Sequence, residues 1–395
     1  MTRPRHAAPP AASAIGATYV ANFGALAAST PFLAIHLAAV GFTPDAAAQV
    51  LALCLLVRVI AIPGWTLLAD RTRAAGAVLR LVSAGALVVF VTLAVVARPP
   101  LAFVALALVA FAVFRAPFGP LLDALMLHRV RVMGGTFGGV RAWGTAGYAA
   151  AALVTGALVA RVGSRAVLYV SIALLAAALL AAGALGQGDT SAGARGSLRQ
   201  LTQLARRPRI ALLFAIALLQ QMGLAPYDAL FPAYLARLAG ATTSGVAVAL
   251  GAGSEFLLLL AGASLVRRFG PERLLLLACA ASVVRWAAMA LVTVPALLVL
   301  LQSLHALSFG AFYMASVILV DAESPPHLRA SAQGLFNTLC FGVAAALGLS
   351  VAGLVESRGG PRAVFGVAAA AAVLATLAAG RLRPPTQPVH GASGG

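Results

Sequence analysis

The stretch GDTSAGARGSLRQLTQLARRP, residues 188–208, is the one long polar segment among the chain's apolar runs, and it decides how the rest is organised. A hydrocarbon core about 30 Å thick requires ~20 apolar residues per helical crossing. Six runs of that kind precede the segment and six follow it. The sequence therefore predicts twelve transmembrane helices, at 14–39, 46–69, 77–97, 101–127, 139–160, 166–186, 209–236, 243–266, 273–293, 296–320, 330–356 and 362–380.

This pattern predicts an all-α integral membrane fold of two pseudo-symmetric six-helix bundles. Residues 1–187 form the first bundle, 188–208 a cytoplasmic linker, and 209–395 the second bundle with a short cytoplasmic tail. Two such halves around a basic linker are the expected outline of a secondary transporter.

Composition supports a membrane protein and excludes a soluble one. The 395 residues are 62% hydrophobic and only 10% charged, whereas soluble domains carry about 25% charged residues. The net charge of +18 comes from arginine alone, because the chain has no lysine. The arginines lie in gaps between apolar runs and not along one solvated face, so no nucleic-acid partner is indicated.

The distribution of arginine predicts the orientation. With the N-terminus inside, 18 arginines lie on the cytoplasmic side and 6 on the outer side. Because positively charged loops stay in the cytoplasm, we expect both termini there, in a bacterial-type inner membrane. We expect the lipid bilayer, a small-molecule substrate and protons as partners, and a monomer as the working form.

Charged residues inside the spans mark the candidate site. Each costs about 2.5–3.5 kcal/mol at the centre of a lipid-facing helix, so they must face a wet cavity or pair with each other as structural locks. Asp123, Gln302 and His305 extend this polar interior. The charged residues within or at the mouth of spans are Arg58, Arg115, Arg141, Arg285, Asp228 and Glu255.

Two short motifs repeat at half-chain spacing. TLLADR (66–71) ends the second helix and GASLVRRFGPER (262–273) spans the end of the eighth, with Asp70 and Val266 at equivalent positions 196 residues apart. The pair resembles the loop signature of the major facilitator superfamily, although Thr66 replaces its glycine and Val266 its acid. The resemblance implies a gating role for four residues: Asp70, Arg71, Arg267 and Arg268.

A more specific resemblance is to the lactose permease and phenylpropionate permease branch of that superfamily. The resemblance rests on four stretches of sequence: GPLLDA (119–124), GGVRAWGTAGY (138–148), ASVVRW (281–286) and LHALSFG (304–310). It implies that Asp123 and Arg141 lie at the substrate site, that Tyr148 replaces an aromatic residue stacked on the substrate, and that Glu255, Arg285 and His305 belong to the proton pathway. Thr145 lies between Arg141 and Tyr148 on one helix face.

The chain departs from the lactose permease pattern at polar positions. Ser308 replaces the proton-carrying carboxylate one turn after the histidine, and Leu258 replaces an asparagine near Glu255. Because each buried polar group left unpaired costs about 1–3 kcal/mol, a site lacking these groups is a poor fit for a disaccharide. The surplus of arginine favours a carboxylate, for which the planar guanidinium is suited.

The leading hypothesis is a proton-coupled symporter of a small organic solute, an aromatic carboxylate above all, working by alternating access. Glu255 is the first candidate for the proton carrier and His305 the second, with Arg285 tuning them. The predicted substrate contacts are Arg58, Arg115, Asp123, Arg141, Thr145, Tyr148, Asp228 and Gln302.

Several alternatives stay open. Within transport these are proton-coupled uptake of a sugar or nucleoside and proton-driven export of drugs or metabolites. An intramembrane enzyme is not favoured, because the sequence has no HExxH and no GxSxG motif, and we predict no catalytic residue, cofactor or metal site.

One further contact is predicted near the cytoplasmic side. The stretch DAESPPHLRA (321–330) predicts an ion pair between Glu323 and Arg329.

Overall fold

The computed structural model describes residues 12–96, 99–122, 125, 137–185, 198–325 and 328–382. Their regular elements are helices, which follows from the apolar composition. In lipid every backbone N–H and C=O must be bonded within the chain, and a helix achieves this within one segment.

The first half follows the predicted spans with two differences. The first predicted helix is broken by a turn at residues 30–32, and the fourth turns at 116–117 before continuing through 118–122. The described helices of this half are α1 (Ala12–Ser29), α2 (Leu33–Ala39), α3 (Pro44–Thr72), α4 (Ala75–Val95), α5 (Leu101–Arg115), α6 (Phe137–Val162) and α7 (Ala166–Ala184).

The second half begins with a short helix inside the predicted linker and then follows the predicted spans. Its tenth span is irregular: a 3-10 turn (Leu301–Leu304) and a π-helix (Ala306–Ala311) separate two α-helices. A second π-helix (Leu339–Ala344) interrupts the eleventh. The α-helices of this half are α8 (Leu198–Ala205), α9 (Pro208–Ala239), α10 (Ala241–Phe269), α11 (Pro271–Leu291), α12 (Pro295–Leu300), α13 (Phe312–Glu323), α14 (Arg329–Thr338) and α15 (Ala345–Ala379).

The twelve predicted crossings are confirmed. The described residues contain eleven helical stretches long and apolar enough to span a membrane, and the last of them, Ala332–Ala379, has 48 residues. At 1.5 Å per residue that stretch is about 72 Å long, more than twice the hydrocarbon thickness. Gly360 interrupts it with a φ of 73°, directly before Pro361, so it makes two crossings.

The short connections after α2, α4, α6, α9 and α11 lie on one face of the molecule, here called the distal face. The opposite face, which carries α8, is the linker face. One large core cluster is built only from second-half residues, between Leu204 and Leu382. Another, between Ile15 and Leu185, is built only from the first half.

Helices from the two halves meet closely near the distal face. A Cβ atom at Gly156 of α6 would lie 2.6 Å from the carbonyl oxygen of Ala241 in α10. Gln49 of α3 donates a 3.1 Å hydrogen bond to the carbonyl oxygen of Ser350 in α15. The bundle is therefore closed on its distal side, and a closure of this kind needs small residues because only they let two backbones approach.

Candidate functional site

Four polar residues from four helices lie at one depth. Each of them is fourteen residues from the end of its helix at the distal face. That end is the start of α3 for Arg58, of α5 for Arg115 and of α10 for Glu255, and it is the last residue of α6 for Tyr148. At 1.5 Å per residue this depth is about 21 Å. These four residues, here called the central layer, place charge deep within the bundle.

Arg285 of α11 is fully buried and held by neutral groups. Its Nη1 donates to the Oγ of Ser308 at 2.8 Å and lies 3.1 Å from the Nδ1 of His305. Its Nη2 donates to the Oε1 of Gln302 at 2.6 Å. Among the described residues no carboxylate lies within ion-pair distance of this guanidinium, and its Nε has no hydrogen-bond partner.

Aromatic rings cover the same guanidinium. The Cζ atom of Arg285 lies 4.1 Å from the ring centroid of Tyr227 and 4.6 Å from that of Trp286. The His305 ring lies 5.4 Å from Tyr227 and 5.2 Å from Phe309. Cation–π contacts of desolvated arginine contribute about 2 kcal/mol each, so they stabilise the charge although no described carboxylate touches it.

The irregular tenth span positions the partners of Arg285. In the 3-10 turn, residues three apart are eclipsed, so Gln302 and His305 present their side chains on one side. The π-helix that follows carries Ser308 to the same guanidinium. π-helical turns occur mostly as short interruptions of α-helices, and these are frequent at functional sites.

Glu255 completes this group from α10. Its Oε2 lies 3.7 Å from the Nε2 of His305, and the two side chains are 23% and 11% exposed. Gly310 leaves room for it, because a Cβ there would lie 3.2 Å from the Cγ of Glu255. The structure thus brings together the three residues predicted for proton coupling, Glu255, Arg285 and His305.

Arg58 and Arg115 form a second, more accessible positive group. Both are partly exposed, and they lie close enough for their charges to interact. Arg115 donates a 2.9 Å hydrogen bond to the carbonyl oxygen of Asn22 and lies 5.1 Å from the Phe118 ring centroid. Within the described residues neither arginine has a carboxylate at ion-pair distance.

Asp228 and Tyr148 come together from the two halves. Asp228 is exposed although residues 223–227 and 229–232 on either side of it are buried, so its side chain borders an opening inside the protein. It lies close enough to interact electrostatically with Tyr148 and with Arg285. Thr145, one turn before Tyr148, is also partly exposed.

The remaining predicted residues fall into two sets. Asp123 lies outside the described residues, as do the side chains of Arg141 and Asp70. The predicted gating arginines Arg71, Arg267 and Arg268 are exposed at the linker-face ends of α3 and α10. Among the described residues none of the three makes an ion pair.

The predicted ion pair between Glu323 and Arg329 is wrong. Glu323 instead forms an ion pair with Arg209, whose Nε lies 2.7 Å from its Oε1. The Nη2 of Arg209 also lies 3.3 Å from the Oε1 of Glu272. Arg329 pairs with Asp321 at 3.5 Å. Arg209 lies at the start of α9, so the pairing depends on how α9, α11 and α13 meet, which local sequence spacing does not reveal.

Three partly exposed aromatic residues near the site were missed from the sequence. Phe341, from the π-helix of the eleventh span, lies 6.2 Å from Phe309 and 5.7 Å from Tyr313, measured between ring centroids. A Cβ at the neighbouring Gly342 would lie 2.5 Å from Val59, the residue after Arg58. These rings therefore extend from the neighbourhood of Val59 to His305. No sequence signal separates them from ordinary packing aromatics.

Comparison with known proteins agrees with this architecture. The chain is 27% identical over 384 residues to a probable 3-phenylpropionic acid transporter of Escherichia coli (strain K12), which is 94% of this chain and 96% of that protein. It is 35% identical over 175 residues to a maltose permease of Geobacillus stearothermophilus. That second match covers 44% of the permease, less than half of its length.

Solved structures show the same fold. The crystal structure of nucleoside transporter NupG matches with a TM-score of 0.79 at 20% identity, over 93% of this chain and 97% of that one. An inward-facing, unoccupied bacterial homolog of the human lysosomal transporter Spinster matches with a TM-score of 0.70 at 15% identity, over 93% and 95% of the two chains.

A family match covers nearly the whole chain and agrees with the architecture described above. Residues 13–367 match the MFS_1 like family, twelve helical crossings match the major facilitator fold, and charged residues lie deep inside the bundle. The chain belongs to the MFS_1 like family and is a transporter of the major facilitator type embedded in a membrane.

Proposed function

We propose that this transporter is a proton-coupled symporter of a small aromatic carboxylate, which it imports across a bacterial inner membrane by alternating access. Residues 1–187 and 209–395 are the two rocking bundles, and both termini are cytoplasmic. The distal face is then the outer face, and the present arrangement, closed there, is open toward the cytoplasm.

The observation that carries the substrate class is the pair Arg58 and Arg115. Each charge placed at the centre of a membrane helix costs about 2.5–3.5 kcal/mol when it lacks compensation, and here two like charges lie together without a carboxylate partner among the described residues. A substrate carboxylate supplies the missing negative charge. Arginine suits this role because its planar fork binds both oxygens of a carboxylate.

The buried Arg285 has a different role. Its contacts with Gln302, His305 and Ser308, and the rings above it, leave it no exposed surface. It therefore positions His305 and sets the local charge near Glu255. Glu255, partly exposed beside that group, is the proton carrier, because a carboxylate in an apolar surrounding gains or loses its proton as nearby charge moves.

Ligand-dependent thermal stability tests the substrate class. Full-length protein in lipid nanodiscs is expected to be stabilised by phenylpropionate and not by phenylpropionamide, which lacks the charge. Arg58→Gln and Arg115→Gln should each remove the stabilisation, whereas Arg161→Gln, an exposed arginine near the distal end of α6, should keep it. Equal stabilisation by the amide, or stabilisation by uridine or maltose alone, would overturn the proposal.

A further inference from the structure

Asp228 is an acceptor for which the described part of the chain provides no donor. Its side chain is exposed in the middle of α9, and within the described residues it makes no hydrogen bond and no ion pair, although it feels the charge of Arg285. A carboxylate accepts hydrogen bonds at both oxygens. The opening that it borders is therefore lined at this point by a group that can bind only donors.

Tyr148, on α6 in the other half of the molecule, is partly exposed and lies within electrostatic range of Asp228. A tyrosine hydroxyl both donates and accepts hydrogen bonds, so it can share a bound donor group with the carboxylate. A group held between them would contact both bundles at once.

A row of rings lies between the helix segments that carry Arg58 and Asp228. At one end Gly342 lies against Val59, the residue after Arg58, and the neighbouring Phe341 packs near Phe309. At the other end the row passes from Phe309 through His305 to Tyr227, the residue before Asp228. A site bordered by such a row suits a ligand with an aromatic body.

We propose that the substrate of this site is an aromatic carboxylate that also carries a hydrogen-bond donor, a hydroxyl or an ammonium group, at the end remote from its carboxylate. Arg58 and Arg115 bind the carboxylate, and Asp228 with Tyr148 binds the donor. This inference rests on the proposed function and narrows its substrate class.

A matched series of ligands tests it. Binding to the full-length protein in nanodiscs is measured by thermal stabilisation across ligand concentrations for para-methyl, para-hydroxy and para-aminomethyl phenylpropionate. Since a hydrogen bond to a charged group is strong, we expect at least one donor-bearing compound to bind about tenfold more tightly than the methyl compound. Whichever of the two is preferred identifies the donor as a hydroxyl or as an ammonium group.

Two variants test whether the preference for a donor-bearing ligand depends on Asp228 and Tyr148. Asp228→Asn should weaken binding of the preferred donor-bearing compound more than binding of the methyl compound, which reduces the tenfold preference to about twofold or less. Tyr148→Phe provides a second variant should Asp228→Asn fail to fold, and it should weaken the same preference. Tyr169→Phe, an exposed tyrosine near the distal end of α7, is the matched control.

The outcomes separate the two proposals. If none of the three phenylpropionates binds, the proposed function fails. If all three bind equally, or if Asp228→Asn weakens all three to the same extent, the carboxylate assignment stands and the donor site is wrong.

Discussion

The Nη1 of Arg285 lies 3.1 Å from the Nδ1 of His305. Because arginine has only donors, this imidazole nitrogen is the acceptor and carries no hydrogen. The ring is therefore neutral in this arrangement, with its hydrogen on Nε2, the atom that faces Glu255 at 3.7 Å. Protonation of His305 requires that the contact with Arg285 breaks, so the contact favours Glu255 over His305 as the proton carrier.

Arg285→Lys is expected to destabilise the protein, because a single ammonium group cannot reproduce the fork that reaches Gln302, His305 and Ser308. Leaving one buried acceptor unpaired costs about 1–3 kcal/mol. The midpoint of thermal unfolding in detergent should fall by several degrees, whereas Arg161→Lys should change it little. An unchanged midpoint for Arg285→Lys would show that the three contacts contribute nothing to stability.

His305→Gln should keep gradient-driven uptake, because glutamine retains an acceptor for Arg285 and cannot titrate. Proteoliposomes loaded at higher internal pH provide the measurement, with phenylpropionate as substrate. The expected result is accumulation above the external concentration, as for the natural chain. Loss of accumulation with exchange intact would make His305 the carrier in place of Glu255.

Gly156→Leu is expected to open the distal side. A Cβ at this position would meet the carbonyl oxygen of Ala241 at 2.6 Å, and forcing side-chain atoms into a packed contact costs about 1–3 kcal/mol. Spin labels at Val162 and Val246, exposed positions on α6 and α10, should report a longer distance. Gly183→Leu is the control, because nothing lies within 4 Å of its Cβ position; equal distances in both variants would remove α6 and α10 from the closure.

Much of the fold could be predicted from the sequence because lipid forces every apolar run into a helix. That reasoning also placed the break between the predicted helices 330–356 and 362–380, where Gly360 interrupts the helix with a positive φ directly before Pro361. The irregular turns around His305 were not predicted, since 3-10 and π-helices depend on tertiary packing and leave no clear pattern in composition.

The candidate site was predictable in part for a similar reason. Charges such as Arg58, Glu255 and Arg285 stand out in apolar spans because their insertion is costly. Which charge meets which partner depends on helix rotation, so the burial of Arg285 against Ser308 and the exposure of Asp228 became visible only in three dimensions. Aromatic residues such as Phe341 carry no comparable signal.

Uptake by the Glu255→Gln variant tests the central claim most directly. In proteoliposomes with an inward proton gradient, the natural chain should accumulate phenylpropionate, and so should the control Asp321→Asn, whose carboxylate is paired with Arg329 near the linker face. Glu255→Gln should lose accumulation while still exchanging labelled for unlabelled substrate across the membrane. Accumulation that survives intact in Glu255→Gln would contradict the account.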